Sequence, residues 1–326
     1  AIQNRVASKQ VLENKRKAAK LGSTGMPEKL ADCRKHGPDS ELILNPDGSI
    51  YHLHLRPEHL ANTIITVGDP DRVAKVSQYF DEVEVKIAKR EFVTHTGTYR
   101  RKRLTVLSTG IGTDNIDIVL NELDALVNID LETRTVKPNL TSLQFIRIGT
   151  TGGLQAELPL DTFVVSTFAI GMEGLMHFYP MDNNEDEYMF QHEFMEQIGR
   201  GVQFPIRPYF VKADRELLQQ VGQGMLQGAT LTNTGFYAPQ GRSIRAGLAE
   251  QNLLAAFQKF RYRDLQITNL EMETAGIYGL AKILGHRAIS CSVVLANRAE
   301  NTFSEQPAES VDRLIRTVLD RIASLE

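Results

Sequence analysis

From Tyr51 onward the chain alternates between two textures. Short apolar runs end in glycine or small polar residues, and longer stretches carry an apolar residue every three or four positions. The first texture predicts strands and the second amphipathic helices. ANTIITVGDP (61–70) predicts a strand feeding a turn, and DRVAKVSQYF (71–80) a helix with Val73, Val76 and Phe80 on one face. EVEVKIA (82–88) alternates and predicts a strand. A further strand-like run over 90–96 is expected to end in a turn at Gly97. RLTVLSTGIG (103–112) and SLQFIRIGTTGGL (142–154) predict strands that break into glycine turns, and DTFVVSTFAI (161–170) another strand. Helices are expected over 115–129, 214–226, part of 243–260 and 310–325. Strands are expected over 207–213, at the start of 228–242 and over 287–298, and 267–285 begins extended and becomes a helix. The acidic stretch 178–192 reads as a loop.

Strands alternating with helices imply an α/β fold with a mixed or parallel sheet. In open α/β sheets ligands sit outside the carboxyl ends of strands, so the polar clusters there are the places to look. Residues 1–45 differ: they are polar and broken by Gly22, Gly25, Pro27, Gly37, Pro38 and, just beyond, Pro46. They predict a short helix over 8–20 and then irregular chain. The expected division is an extension over 1–48 and one domain over 49–326.

Composition narrows the function classes. Apolar residues make up 42% and charged residues 24%, an ordinary globular balance for 326 residues. Lys plus Arg is 37 against 40 for Asp plus Glu, and the net charge of −3 argues against a nucleic-acid binder. No stretch approaches the ~18–20 apolar residues of a membrane span. The basic, amphipathic start lacks the apolar core of a signal peptide and fits a surface helix or a mobile arm, a transit peptide being the lesser alternative. Cys33 and Cys291 belong to no metal-binding spacing, and their usage fits a reducing cytoplasm.

Several clusters carry candidate chemistry. In GDPDR (68–72), Gly68 permits close backbone approach, and Arg72 offers a bidentate charge for an oxyanion. A plain strand–turn–helix with Asp71 as N-cap explains the same residues. In FIRIGTTGG (145–153), Arg147 lies inside an apolar strand and needs either an internal carboxylate or a bound anion. Thr150 follows, and Arg90 ends another strand-like run; three converging arginines would make a phosphate site. STGIGTDN (108–115) matches the dinucleotide fingerprint only in part, and nicotinamide chemistry is set aside. In NLEMETA (269–275), Glu271 and Glu273 face different sides if extended, so one can cap while the other meets a ligand's vicinal hydroxyls. In FYAPQGR (236–242), Phe236, Gln240 and Arg242 can pack on and read a carbonyl-bearing heterocycle, or form an ordinary loop. In YHLHL (51–55), His52 and His54 are expected on one face of a strand, without partners for a metal.

Six motifs in order, GDPDR, STGIG, RIGTTGG, FYAPQGR, EMET and NR, resemble the nucleoside phosphorylase family over roughly 50–325. FYAPQGR and LANR point to its uridine-cleaving branch. The resemblance implies a single α/β domain around a central mixed sheet that closes partly into a barrel. It implies phosphorolysis of uridine to uracil and ribose 1-phosphate in pyrimidine salvage, with inorganic phosphate as co-substrate. By likeness, Gly68, Arg72, Arg147 and Thr150 hold phosphate, and Arg90 is lent by a neighbouring subunit. Met272 and Glu273 hold ribose, with His52 donated across a dimer interface and Tyr51 beside it as a wall. Thr151, Gly152, Phe236, Gln240 and Arg242 line the base site, with Arg298 close by.

Such likeness implies a homodimer with shared sites, a hexamer being the larger alternative. It implies no metal and no organic cofactor. The family's potassium position pairs Glu91 and Ile111 with a serine, which here is Asn115, and that departure argues against the ion. An insertion near 131–142 and the long N-terminus are further departures. Hexameric purine phosphorylases carry an aspartate where this chain has Asn297. Alternatives left open are phosphorolysis of deoxyuridine, thymidine or a purine nucleoside, hydrolysis by water, and non-catalytic nucleoside binding.

Overall fold

The computed structural model describes residues 39–325 except 200 and 203. The helix expected over 8–20 lies outside the described residues. One mixed sheet organises the chain. β1 (Thr63–Val67), β4 (Lys102–Ser108), β7 (Gln144–Gly153) and β13 (Arg287–Asn297) run parallel side by side in the order β4-β1-β7-β13. β13 continues to β8 (Phe163–Met172), then β10 (Leu226–Asn233) and β12 (Leu265–Glu271). β12 returns to pair Asn269 and Leu270 with Gly153 and Gly152 of β7. Five strands thus close on themselves, the partial barrel the resemblance implied, and β2 (Glu82–Lys89) with β3 (Phe92–Tyr99) extends the open edge beyond β4. β9 (Tyr209–Lys212) pairs with β8 and β11 (Arg261–Tyr262) with β12, while β5 (Ile129–Asp130) and β6 (Thr135–Val136) form a separate ladder.

Helices cover the sheet where their apolar stripes predict. α1 (Pro70–Ser77) buries Val73 and Val76, and α2 (Thr113–Asn128) buries Ile116, Val119, Leu120 and Leu123. α3 (Glu185–Gln197), α4 (Arg215–Gln220) and α5 (Leu253–Lys259) follow, then α6 (Thr274–Leu284) and α7 (Pro307–Ala323). α6 is buried almost all round, and α7 lays Leu314, Ile315, Val318 and Leu319 on the sheet. No described helix is long and apolar enough to cross a membrane.

Four expectations fail for identifiable reasons. Gly97 is no turn: β3 runs through it to Tyr99, because a Cβ there would stand 2.0 Å from the Glu82 carbonyl oxygen of the bulged partner strand. The glycines of β7 likewise remain in the strand instead of breaking it. The acidic stretch is mostly helical: Asn184 and Glu187 form a reciprocal capping box, and Phe190 and Phe194 anchor α3 in an aromatic subcore. The helix expected over 214–226 is only α4, since a turn at 221–225 leads straight into β10.

The N-terminal part is tied down from residue 39 onward. Leu44 bridges Ile50, and Arg134, from the predicted insertion, pairs with Asp39 and donates to the Leu42 carbonyl.

Candidate active site

The carboxyl ends of β1, β7, β12 and β13 open into one cavity of about 810 Å³. Gly68, Arg72, Arg147, Thr150, Thr151, Gly152, Phe236, Gln240, Arg242, Met272 and Glu273, all expected from sequence, line it. They form two clusters.

The first cluster stands at the strand ends. Arg147 is 5% exposed and reaches Glu273 at 2.5 Å, Glu271 at 3.3 Å and the Ser292 hydroxyl at 3.4 Å. The first explanation of this arginine holds, because carboxylates pair it internally; it also faces the cavity. Gly149 is required by it, because a Cβ there would lie 1.8 Å from Arg147 Nη1. Burial pushes the Arg147 guanidinium down, but Glu271 and Glu273 outweigh that and leave it above its ordinary value. Arg72 differs. Burial and then the neighbouring Arg147 hold its guanidinium below the ordinary value, with Asp69 and Glu273 opposing. Two guanidiniums that repel one another beside a cavity are what an anion would relieve. The N-cap of α1 is Asp69, not Asp71: its carboxylate accepts the Asp71 N–H at 3.0 Å. Of the three arginines, only two converge. Arg90 lies in the β2–β3 turn, 5.9 Å from the centre of the Tyr51 ring and outside the cavity.

Glu271 and Glu273 divide their work. Glu271 accepts the Thr232 hydroxyl and the N–H groups of Glu273 and Thr274, so it satisfies the start of α6. Glu273 lines the cavity and accepts the Gly112 N–H at 2.9 Å as well as Arg147. Burial raises the Glu273 carboxyl above its ordinary value, against the pull of Arg147.

The second cluster sits on the loop after β10. A short turn, Ala238–Gln240, buries Gln240. Arg242 donates to Gln240 Oε1 at 2.6 Å and to the Phe236 carbonyl at 2.7 Å, and its guanidinium lies 3.8 Å from the Phe236 ring centre. Arg298 donates to the Gln240 carbonyl at 3.2 Å and packs over Gly152. Burial and the Arg298 charge lower the Arg242 guanidinium to about 10. Thr151 lines the wall but turns its hydroxyl inward, donating to the Leu270 carbonyl and accepting from Asn269.

His52 and His54 do not share a strand face. Residues 51–53 form a turn, His54 takes φ +57°, and the two rings go to Glu122 and Asp47. Tyr51 and His52 lie outside this chain's own cavity. Sequence reasoning missed Leu270, Leu295, Ala296 and Phe303, the apolar part of the wall. The first three lie inside NLEMETA and LANR, where the polar neighbours alone stand out as candidates. Phe303 rides on the two-residue strand β14 (Thr302–Phe303) beside β13, too short to leave a pattern.

The sequence model of the Phosphorylase superfamily matches residues 62–325. The chain belongs to that family. It is 30% identical to a uridine phosphorylase of Thermococcus kodakarensis over 79% of this chain and 81% of that protein. A DeoD-type purine nucleoside phosphorylase of Listeria monocytogenes is 25% identical over 82% of this chain and 97% of its own length. Among solved structures, a Trypanosoma brucei nucleoside phosphorylase with uridine phosphorylase activity superposes with a TM-score of 0.79. It is 29% identical, and the match covers 87% of this chain and all of that one. The match to the family model covers the whole cavity wall, from Gly68 to Phe303.

Proposed function

We propose that this phosphorylase-superfamily enzyme is a pentosyltransferase that cleaves uridine with inorganic phosphate, yielding uracil and ribose 1-phosphate. One observation carries the reading: a single cavity is lined by two neighbouring arginines, a buried carboxylate, and an amide–guanidinium pair beside an aromatic ring.

Cleaving an N-glycosidic bond builds positive charge on the sugar and negative charge on the departing base. Arg72 and Arg147, with Gly68 and Thr150 on the same wall, would hold the phosphate as nucleophile and counter-charge. Its oxygen forms the bond to the anomeric carbon while the C–N pair leaves with the base. Glu273 would accept ribose hydroxyls, with Met272 packed against the sugar. Gln240 and Arg242 would read the uracil edge and stabilise its anion, with Phe236, Gly152 and Thr151 as walls and Arg298 steadying Gln240. No step requires a metal or an organic cofactor. Asn115 donates to the Glu91 carboxylate at 3.2 Å, so a neutral amide serves a carboxylate that a potassium ion would otherwise meet.

Purine cleavage has less support. Asn297 spends its amide on the Gln155 and Leu158 carbonyls and its oxygen on the N–H groups of Ala299 and Glu300, leaving nothing for a base. A second subunit fits the positions of Arg90, His52 and Tyr51 outside the cavity, and Ile111, on the rim, is 69% exposed. We therefore read a homodimer with shared sites, acting in pyrimidine salvage in the cytoplasm. The catalytic unit is 49–326.

The test is uracil release from uridine, followed by ultraviolet absorbance with and without phosphate. Phosphate-dependent release is expected. Equal release without phosphate would mean hydrolysis and would remove the role given to Arg72 and Arg147.

A further inference from the structure

Asn297 is buried and lines no part of the cavity, yet its side chain has every hydrogen-bonding capacity filled. A primary amide offers two N–H donors and two acceptor sites. Here Nδ2 donates to the Gln155 carbonyl at 3.0 Å and to the Leu158 carbonyl at 2.9 Å. Oδ1 accepts the N–H groups of Ala299 at 2.9 Å and Glu300 at 3.0 Å. The four partners fix which end of the amide is which, because carbonyls only accept and N–H groups only donate.

The two pairs of partners belong to different pieces of chain. Gln155 and Leu158 lie on the connection that follows β7. That connection is itself held. Gln155 Nε2 donates to the Ile267 carbonyl of β12 at 2.7 Å and to the Gln258 carbonyl of α5 at 3.3 Å, and Gln258 donates back to the Leu154 carbonyl at 2.9 Å. Ala299 and Glu300 lie in the turn between β13 and β14, where Asn297 pairs with Thr302 and Asn301 takes φ +55°. Asn297 therefore ties the turn to a fixed floor. Arg298 stands between Asn297 and its turn partners. Its N–H donates to the Gly153 carbonyl at 2.7 Å, its stem packs over Gly152, and its guanidinium donates to the Gln240 carbonyl at 3.2 Å. A tilt of the turn would move that guanidinium and the support it gives Gln240.

We propose that Asn297 is a positioning residue for the nucleobase: by tying the β13–β14 turn to the connection after β7, it fixes Arg298 against Gln240 and so sets how tightly the base is held. The proposal rests on the reading that Gln240 and Arg242 meet the base. Arg72, Arg147 and Glu273 make no hydrogen bond along this route, so a fault in it should weaken the base and spare phosphate and sugar. A supporting shell of this kind works by locking the geometry of the group that meets the ligand.

The experiment measures KM for uracil and ribose 1-phosphate in the reverse direction, and for phosphate in the forward one. It compares the wild type with Gln240→Ala, Asn297→Asp, Asn297→Ser, Arg298→Met and the Asn297→Asp/Arg298→Met double variant. Asn297→Asp keeps the acceptor toward the turn and sets an oxygen against the two carbonyls. Asn297→Ser keeps a hydroxyl beside the turn and releases the floor. Each should raise the uracil KM about tenfold, the scale of one hydrogen bond, with the other two constants unchanged. Arg298→Met keeps the packing over Gly152 and removes the donor; it should match them, and the double variant should be no worse than the worse single. A wild-type uracil KM in both Asn297 variants, or in Arg298→Met, would overturn the proposal. Equal rises in all three constants, as a merely structural role would give, or losses that add in the double variant would do the same. If Asn297→Asp fails to fold, Asn297→Ser decides the matter. A wild-type uracil KM in Gln240→Ala would overturn the reading of Gln240 itself, and the proposal with it.

Discussion

The two clusters on the cavity wall are built differently. The strand-end cluster is made of groups that are buried and largely paired without any ligand: Arg147 with two carboxylates, Glu271 with the start of α6, Glu273 with Gly112. The loop cluster is held by a few contacts among its own members, Arg242 to Gln240, Arg242 on Phe236 and Arg298 to the turn, and Phe236 is 51% exposed. In the first cluster function and stability are entangled, because a buried charge without its partner is costly. In the second they are separable. The chemistry agrees with this division. Charges that stabilise a transition state gain from being fixed in advance, whereas a base must enter, be read and leave.

The sharpest way to break the contrast is to compare the two arginines. Arg147→Met should cost about 3 kcal/mol or more of folding stability, since Glu273 and Glu271 would keep their burial and lose their counter-charge. Phosphorolysis should fall by about a hundred- to a thousandfold, the scale of losing a fixed donor to transition-state charge. Arg72→Met should behave oppositely on stability, holding or gaining, because burial and repulsion by Arg147 already disfavour its charge. Its phosphate KM should still rise by about a hundredfold, within the ~1.5–3 kcal/mol of a hydrogen bond to a charged group. Urea unfolding alongside steady-state kinetics checks both. Equal stability losses in the two variants would erase the distinction.

At the loop cluster, Gln240→Ala should lower kcat/KM for uridine by about thirtyfold, near 2 kcal/mol for a lost pair of hydrogen bonds. The phosphate KM and the unfolding midpoint should stay close to wild type. A melting temperature that drops as far as that of Arg147→Met would show that the loop is structural after all.

The same contrast explains what is legible in the sequence. The strand ends announce themselves because a charged residue inside an apolar run is conspicuous: Arg147 in FIRI demands a partner on the strength of its neighbours alone. Periodicity places β1, β4, β7, β8 and β13 and the long helices α2 and α7. It fails where tertiary contacts set the backbone. Gly97 and the β7 glycines read as turns because glycine usually marks one, yet here glycine makes room for a neighbouring strand or for Arg147. α3 is hidden by its charge: Glu185, Asp186 and Glu187 suit a helix N-terminus as readily as a loop. The split of Glu271 from Glu273 is foreseeable in kind, but which carboxylate caps α6 is not.

The smallest expected effect is on pH dependence, and it follows from how deeply the first cluster is buried. Burial raises the Glu273 carboxyl above the 4.5 of an exposed glutamate, Arg147 opposing only in part. A carboxyl raised in the folded state favours the protonated form there. Its contribution to stability is therefore complete below 4.5 and is lost as pH rises through the folded value. Activity runs the other way, because only the ionised carboxylate accepts two sugar hydroxyls. On the acid side, kcat/KM for uridine should fall with a midpoint above 4.5, and the limb should disappear in Glu273→Gln together with most of the activity. Arg72→Met should move that limb to higher pH by a fraction of a unit, since Arg72 is one of the charges near Glu273. Gln240→Ala, in the other cluster, should leave it in place. A limb that moved with Gln240 and not with Arg72 would mean that the two clusters share one titrating group, and the division between them would have to be abandoned.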